Sequence, residues 1–270
     1  NHKPIVISPN ELPSFLNWLP GTDNVKIYEK DKITCTQILK EVEIVFTLDF
    51  NALHRTGEMS DLLSQLDASF IMIDHHQSPD GYATVTYSDT SFGSTCEMVY
   101  NFISFLEQKE KIDLNIATCI YTGILTDSGS FRFPKTTGTT HRIVAELIDL
   151  GVKNTEIPTL LFDNSSFSRL QLLGRGLENM KVFTEYKTTY TYLTQEELDL
   201  FNHKKGDTEG IVNYGLSVAG IVFTAIFIEN KAENIIKISF RSQGDFDVNQ
   251  FARDHFNGGG RSEEHTSELQ

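Results

Sequence analysis

The chain has 270 residues, of which 39% are hydrophobic and 22% are charged, and its length suits one large domain or two unequal ones. No apolar run approaches the roughly 20 residues of a membrane span, so the sequence excludes a transmembrane protein. A net charge of −14 argues against a partner of long duplex nucleic acid, but a metal-filled cleft could still bind a short phosphate substrate. Three cysteines without CxxC spacing indicate neither disulfides nor zinc, and favour a cytoplasmic location.

The first part of the chain alternates between the patterns of strands and helices. Strands are predicted at 5–8, 25–28, 44–48 and 70–73, and helices at 32–41, 57–66, 94–108, 114–125, 139–150 and 166–179. The third helix opens with Ser94 and Glu97 at the spacing of a capping box. The alternation predicts an α/β domain with a mostly parallel sheet and helices on both faces.

The pattern changes after about residue 187. Strands at 188–193, 221–229 and 235–240, with helices at 195–201 and 247–256, predict a smaller α+β domain. We therefore expect a first domain at 1–180, a linker at 181–187 and a second domain at 188–260. The polar segment 261–270 has no apolar period and is interpreted as a non-native tail, with a native disordered tail as the alternative.

Acidic and histidine residues follow two of the predicted strands. Asp49 comes directly after 44–48, and Asp74, His75 and His76 come directly after 70–73. Ligands bind outside the carboxyl ends of the strands in an open parallel sheet, so we expect these side chains at one edge. An aspartate at such a place can also cap the next helix, and an adjacent histidine pair is not rare by chance.

Asp127 strengthens the case for a metal site. It closes an apolar helical segment, where a carboxylate opposes the helix dipole by about 0.3–1 kcal/mol and thereby suggests a nearby cation. Carboxylate and imidazole ligands without thiolates suit manganese, with magnesium or iron less favoured. We predict a metal site built from Asp49, His75 and Asp127.

Several segments, taken in order, resemble the DHH phosphoesterases with their associated C-terminal domain. They are Leu-Asp-Phe-Asn at 48–51, Ile-Asp-His-His at 73–76, Ser-Asp-Thr-Ser at 88–91, Ser-Thr-Cys-Glu at 94–97, the run from Tyr-Thr-Gly to Phe-Arg-Phe at 121–133, Lys-Gly-Asp-Thr-Glu-Gly at 205–210, Phe-Arg-Ser at 240–242 and Phe-Asn-Gly-Gly-Gly at 256–260. The most similar subgroup is the bifunctional oligoribonuclease and phosphoadenosine phosphate phosphatase. The resemblance implies hydrolysis of short oligoribonucleotides to mononucleotides, removal of the 3′-phosphate of phosphoadenosine phosphate, or both.

The resemblance also implies roles for the metal-site residues. Two ions, usually manganese with magnesium as the alternative, would clamp a hydroxide that attacks phosphorus. Asp49 would bridge the ions, with His75 and Asp127 on one of them. Asp74 would orient a histidine, and His76 would contact the phosphate or assist the leaving oxygen.

Further residues would contact the substrate, a short single-stranded RNA or a nucleotide. An arginine fork suits phosphate, and glycines let backbone N–H groups approach an anion. The residues implied are Arg132, Arg241, Ser242, Gly258, Gly259 and Gly260. Homodimer formation is left open.

Two departures from the family pattern bear on activity. The family's first motif, a histidine followed by Asp-x-Asp, would precede Lys3, and Gly260 is not followed by the family's His and Ala-Gly-Gly run. We therefore expect a chain truncated at both ends that is weak or inactive as an enzyme. The alternatives are another DHH hydrolase, acting on cyclic dinucleotides, polyphosphate or pyrophosphate, and a non-catalytic nucleotide-binding module.

Overall fold

A computed structural model describes residues 3–204, 206–256, 259–260 and 264–269. The chain divides into two units between Asn164 and Ser165, earlier than the predicted boundary near 180. The predicted linker at 181–187 belongs to the second unit, because Lys181–Phe183 is a strand of its sheet. This strand is too short for its alternation to stand out in the sequence.

Short parallel strands form the sheets of the first unit. β1 (Ile7–Ser8) pairs with β2 (Lys26–Ile27), and β3 (Ile44–Leu48), β4 (Ser69–Asp74) and β5 (Val85–Ser88) form a second sheet in that order. The predicted α/β class is confirmed. Only β5 was not expected, since its half-exposed residues make no buried apolar run.

Helices follow or connect these strands, close to the predicted positions. They are α1 (Lys32–Lys40), α2 (Ser60–Ser64), α3 (Thr95–Phe105), α4 (Leu114–Asp127), α5 (Gly138–Asp149) and α6 (Glu156–Phe162), of which α6 was not predicted. Ser94 caps α3, its Oγ accepting a hydrogen bond from the Glu97 backbone N–H at 3.1 Å. The Glu97 carboxylate departs from the predicted capping box: it accepts the Thr140 hydroxyl, at 3.1 and 3.2 Å, and so ties α3 to α5.

Two clusters of buried apolar residues form the core of the first unit. The residues Ile120, Ile124 and Leu147 pack α4 against α5, with Trp18 lying against this cluster. A second cluster packs α1 and α2 beside the sheet through Cys35, Leu39, Leu63 and Phe70. The carboxyl ends of β3 and β4 lie outside these clusters and carry polar residues, Asp49 and Asp74.

A mixed sheet organises the second unit. Its strands are β6 (Lys181–Phe183), β7 (Thr188–Leu193), β8 (Phe223–Asn230), β9 (Ile235–Ser242), β10 (Gly259–Gly260) and β11 (Glu264–Leu269), in the spatial order β10-β11-β9-β8-β7-β6. β7 and β8 are parallel and the other pairs are antiparallel. With the helices α7 (Phe167–Glu178), α8 (Gln195–Leu200), α9 (Asn213–Leu216) and α10 (Val248–Phe256), this is the expected α+β arrangement.

Phenylalanines dominate the core between α10 and this sheet. The ring centroids of Phe223, Phe240 and Phe251 lie 5.4–5.7 Å apart. Phe251 meets the other two rings edge to face, and Phe223 stacks on Phe240. No helix within the described ranges is both long enough and apolar enough to cross a bilayer.

The C-terminal segment 261–270 is partly described. Glu264–Leu269 pairs antiparallel with β9, whereas 261–263 and 270 lie outside the described residues. The segment therefore includes a strand, although its polar sequence has no apolar period. Its interpretation as a non-native tail stays a prediction.

Candidate metal centre

The ends of β3 and β4 bring acidic and histidine residues together. Leu48 pairs with Ile73, and the Asp49 N–H continues the ladder by donating to the Ile73 carbonyl at 3.0 Å. Asp49 has a φ of 69°, a left-handed conformation that aspartate adopts more readily than most residues, and the strand ends there. Asp74 ends β4, so His75 emerges beside Asp49.

The two ring nitrogens of His75 face different groups. The side chain is buried, and Nδ1 lies 3.2 Å from the carbonyl oxygen of Phe92. A carbonyl can only accept, so Nδ1 carries the proton. Nε2 lies 3.6 Å from Asp49 Oδ1 and 3.8 Å from Asp127 Oδ2.

This arrangement fits a divalent metal ion. With Nδ1 donating to the Phe92 carbonyl, a neutral ring has its lone pair on Nε2, which faces two carboxylates. A cation bound among these three groups would be held favourably. Ligand distances of about 2.1 Å place neighbouring donor atoms roughly 3–4 Å apart, and both measured separations lie in that range. Metal-binding histidines usually donate their other N–H to a carbonyl or carboxylate, as His75 does to Phe92.

Asp127 reaches this place from the end of α4. It is the last residue of the helix, and its side chain is 29% exposed. The chain then reverses through Gly129, Ser130 and Phe131, whose φ values are 56°, 60° and 65°. Left-handed backbone at two non-glycine residues is strained and tends to occur at functional sites.

Asp74 and His76 form a second, buried arrangement. Asp74 Oδ1 accepts the His76 backbone N–H at 2.5 Å and lies 3.1 Å from His76 Nδ1, which is 3.7 Å from Asp49 Oδ1. Donor atoms of Asp49, His75 and His76 all lie within 4.8 Å of one another, so His76 is geometrically a candidate ligand. Its Nδ1 is better explained as a donor to Asp74, which leaves Nε2 for proton exchange.

Two polar contacts of this site were not expected from the sequence. Thr95 Oγ1 donates to Asp49 Oδ1 at 2.6 Å, and Asn51 Nδ2 donates to the Gln77 carbonyl at 2.7 Å. The second bond joins the loops that follow β3 and β4. Both residues lie in segments that resemble the DHH family, which is the signal that could have marked them.

Cys96 lies nearby but has the wrong chemistry for a ligand. Burial, together with the carboxylates of Asp127 and Asp49, raises the pKa of its thiol to about 12. The thiol is therefore protonated at neutral pH, and only a thiolate binds metal well.

The residues expected to contact substrate are distributed over both units. In the first, Arg132 is exposed and its Nε donates to the Gly129 carbonyl at 2.8 Å. In the second, Arg241 and Ser242 end β9, where Arg241 Nη1 donates to the Phe240 carbonyl and the Ser242 hydroxyl to the Phe246 carbonyl. Gly259 and Gly260 form β10, separated from β9 by β11, and Gly258 lies outside the described residues.

The chain is similar to proteins of known classes. Residues 6–124 match the DHH family, N-terminal domain. The crystal structure of an exopolyphosphatase-related protein from Bacteroides fragilis is 37% identical and aligns with a TM-score of 0.92, covering 98% of this chain and 77% of that one.

Two curated relatives carry the name bifunctional oligoribonuclease and PAP phosphatase NrnA. The protein from Bacillus subtilis is 31% identical over 196 residues, and the one from Thermus thermophilus is 32% identical over 175. The alignments cover 72% and 64% of this chain, respectively. The chain spans 60% and 51% of the length of these relatives.

Proposed function

The chain belongs to the DHH family of phosphoesterases, and we propose that it hydrolyses short oligoribonucleotides to mononucleotides and removes the 3′-phosphate of phosphoadenosine phosphate. Members of this family depend on metal ions. The observation that carries the proposal is the orientation of His75: its Nε2 faces the carboxylates of Asp49 and Asp127. The choice of substrate is supported by the names of the curated relatives.

Asp49, His75 and Asp127 would hold manganese, with magnesium as the alternative. The bound metal would supply a water of lowered pKa and neutralise charge on the phosphate. His75 contributes a tautomer fixed by the Phe92 carbonyl, so Nε2 is the nitrogen that would bind the ion. The side chain of Asp49 is 48% exposed, which leaves room beside it for a second ion and for substrate.

His76 would serve the leaving group. Asp74 accepts a hydrogen bond from Nδ1 of His76 and thereby fixes the orientation of the ring. A proton held at Nε2 can then pass to the oxygen that leaves phosphorus. Proton transfer by a positioned side chain contributes typically about 10²–10⁴-fold to a rate.

The second unit would recognise the nucleotide. We propose that Arg241 offers its guanidinium fork to a phosphate, and that the backbone of Gly259 and Gly260 approaches an anion. Arg132 of the first unit, at the strained turn after Asp127, is a further proposed contact. Ser242 would act mainly by shaping the end of β9, because its hydroxyl is engaged by the Phe246 carbonyl.

The net charge of −14 favours short substrates, since a long polyanion would be repelled outside the metal site. A second candidate substrate is inorganic polyphosphate. It is favoured by the similarity to the exopolyphosphatase-related protein, which extends over nearly the whole chain. Polyphosphate and a ribodinucleotide must therefore be compared directly.

The test is hydrolysis of a ribodinucleotide, phosphoadenosine phosphate, polyphosphate and pyrophosphate in parallel, with added Mn²⁺ and with a chelator. We expect the first two to be hydrolysed in the presence of Mn²⁺, if only weakly, and hydrolysis to be lost in the Asp49→Asn variant. Asparagine tolerates the left-handed backbone at this position, so the loss would report on the carboxylate alone. Asp61→Asn, at an exposed position in α2, is the matched control.

Each contrary outcome has a distinct meaning. Faster turnover of polyphosphate than of the dinucleotide would overturn the proposed substrate. Binding of both Mn²⁺ and a nucleotide, without hydrolysis of any of the four substrates, would favour a nucleotide-binding module instead. Equal hydrolysis by Asp49→Asn would refute the metal site itself.

A further inference from the structure

Asp49 is tied to α3 by one short hydrogen bond. The Thr95 hydroxyl donates to Oδ1 at 2.6 Å. Thr95 is only 5% exposed, whereas the Asp49 side chain is 48% exposed. An exposed carboxylate samples several rotamers unless a partner selects one.

The oxygen that Thr95 contacts is the one that faces the histidines. Oδ1 of Asp49 lies 3.6 Å from His75 Nε2 and 3.7 Å from His76 Nδ1. A hydrogen bond to this atom therefore fixes the distance between the carboxylate and His75. Rotation of Asp49 away from Thr95 would move Oδ1 away from the metal-binding nitrogen.

Thr95 is well placed to act as a rigid donor. It is the first residue of α3, next to the cap at Ser94. Its β-branched side chain has few rotamers, and burial restricts them further. Its neighbour Cys96 packs against Gly123 of α4, which fixes this end of the helix.

We propose that Thr95 is a positioning residue that holds Asp49 in the orientation needed for metal binding. This inference rests on the proposed metal centre, in which Asp49 and His75 are ligands. Thr95 acts only through Asp49 and has no role in substrate contact. Loss of its hydroxyl should weaken metal binding while the fold is retained.

The experiment is a Mn²⁺ titration of the chain, followed by electron paramagnetic resonance of the free ion. Groups that orient metal ligands typically contribute about 10–100-fold to affinity, and we expect a weakening of this size for Thr95→Val. Thr95→Ser keeps the hydroxyl and should restore binding close to that of the wild type. The control is Thr122→Val, which removes another buried threonine hydroxyl, bonded to the Thr118 carbonyl at 2.8 Å, and should bind as the wild type does.

Activity gives a second reading of the same variants. The Mn²⁺ concentration for half-maximal hydrolysis should rise in Thr95→Val, and saturating Mn²⁺ should restore the rate. Equal affinity of Thr95→Val and the wild type would overturn the role of Thr95 and leave the metal centre intact. Equal weakening in Thr95→Val and Thr95→Ser would overturn it as well, since the hydroxyl would not be the cause. Absence of Mn²⁺ binding in the wild type would instead refute the proposed function.

Discussion

The thiol of Cys96 occupies the space in which a side chain at Gly123 would begin. A Cβ atom built on Gly123 would lie 2.1 Å from Cys96 Sγ and 2.9 Å from Cys96 Cβ. Gly123 is one turn before Asp127 in α4, and Cys96 follows Thr95 in α3. The contact therefore sets the distance between α4, which carries Asp127, and α3, which carries Thr95, the hydrogen-bond donor to Asp49.

Gly123→Ala should destabilise the first unit, although alanine favours a helix over glycine by about 1 kcal/mol. The added methyl group must displace Cys96, and overpacking of this kind typically costs about 1–3 kcal/mol. Urea denaturation measures the effect. Gly174→Ala is the control, because that glycine lies inside α7 with nothing within 4 Å of an added Cβ. We expect this variant to raise the free energy of unfolding by roughly 0.5–1 kcal/mol. A gain at both positions would contradict the close contact.

Glu97→Gln should stabilise the protein at neutral pH. Burial raises the pKa of the Glu97 carboxyl above its unfolded value, with the Thr140 hydroxyl opposing part of the rise. Glu97 therefore favours folding while it is protonated, and this contribution is lost as the pH rises through the folded-state pKa. Glutamine stays neutral and can still accept from Thr140.

The free energy of unfolding, measured by urea denaturation, should therefore be higher for Glu97→Gln than for the wild type at neutral pH. This difference should shrink as the pH falls towards about 4, near the unfolded pKa of a glutamate. Glu97→Ala removes the carboxylate that accepts from the buried Thr140 hydroxyl. This variant should have a free energy of unfolding about 1–3 kcal/mol lower than that of the wild type. A glutamine variant less stable than the wild type at every pH would show that the charge of Glu97 is needed.

Asp49→Ala and His76→Ala should separate metal binding from proton transfer. The first removes a proposed ligand and should lower the manganese content of the purified protein. The second should keep the metal and lower kcat, by up to about 10²–10⁴-fold for a general acid. Metal analysis of both variants would reverse these assignments if His76→Ala lost manganese and Asp49→Ala kept it.

Arg241→Ala should weaken binding of nucleotide substrates by about 1.5–3 kcal/mol, the usual contribution of a hydrogen bond to a charged group. A small chromogenic phosphodiester without a nucleotide should be hydrolysed at nearly the wild-type rate. The comparison of kcat/KM for the two substrates is the measurement. Equal losses on both would argue that Arg241 acts on the general stability of the second unit.

The strand ends of the site could be predicted because they depend on local pattern. The apolar runs before Asp49 and before His75 mark buried parallel strands, and the topology of such strands determines which ends meet. The sequence favoured Asp127 because a carboxylate at a helix C-terminus is unfavourable without a cation, and the structure places it beside His75. Its role as a metal ligand stays a prediction.

The contacts that orient these residues could not be predicted in the same way. Thr95 and Asp49 are 46 positions apart, and their hydrogen bond depends on how α3 packs beside β4. Glu97 has the spacing of a reciprocal cap, but tertiary packing turned its carboxylate to Thr140 instead. Helix α6 was missed because it is short and contains Pro158, which breaks a helix interior but is tolerated in the first turn, where it lies here.

Trp18 is the single tryptophan of the chain, and it packs against the α4 and α5 cluster of the first unit. Intrinsic indole fluorescence therefore reports on the unit that carries Asp49, His75 and Asp127. The second unit has tyrosines and phenylalanines but no tryptophan, so excitation at the red edge of the indole band, beyond tyrosine absorption, leaves it silent. A melting curve followed by indole emission would describe the first unit. A curve followed by amide absorption would describe both units. The difference between the two curves gives the unfolding of the second unit without any engineered label.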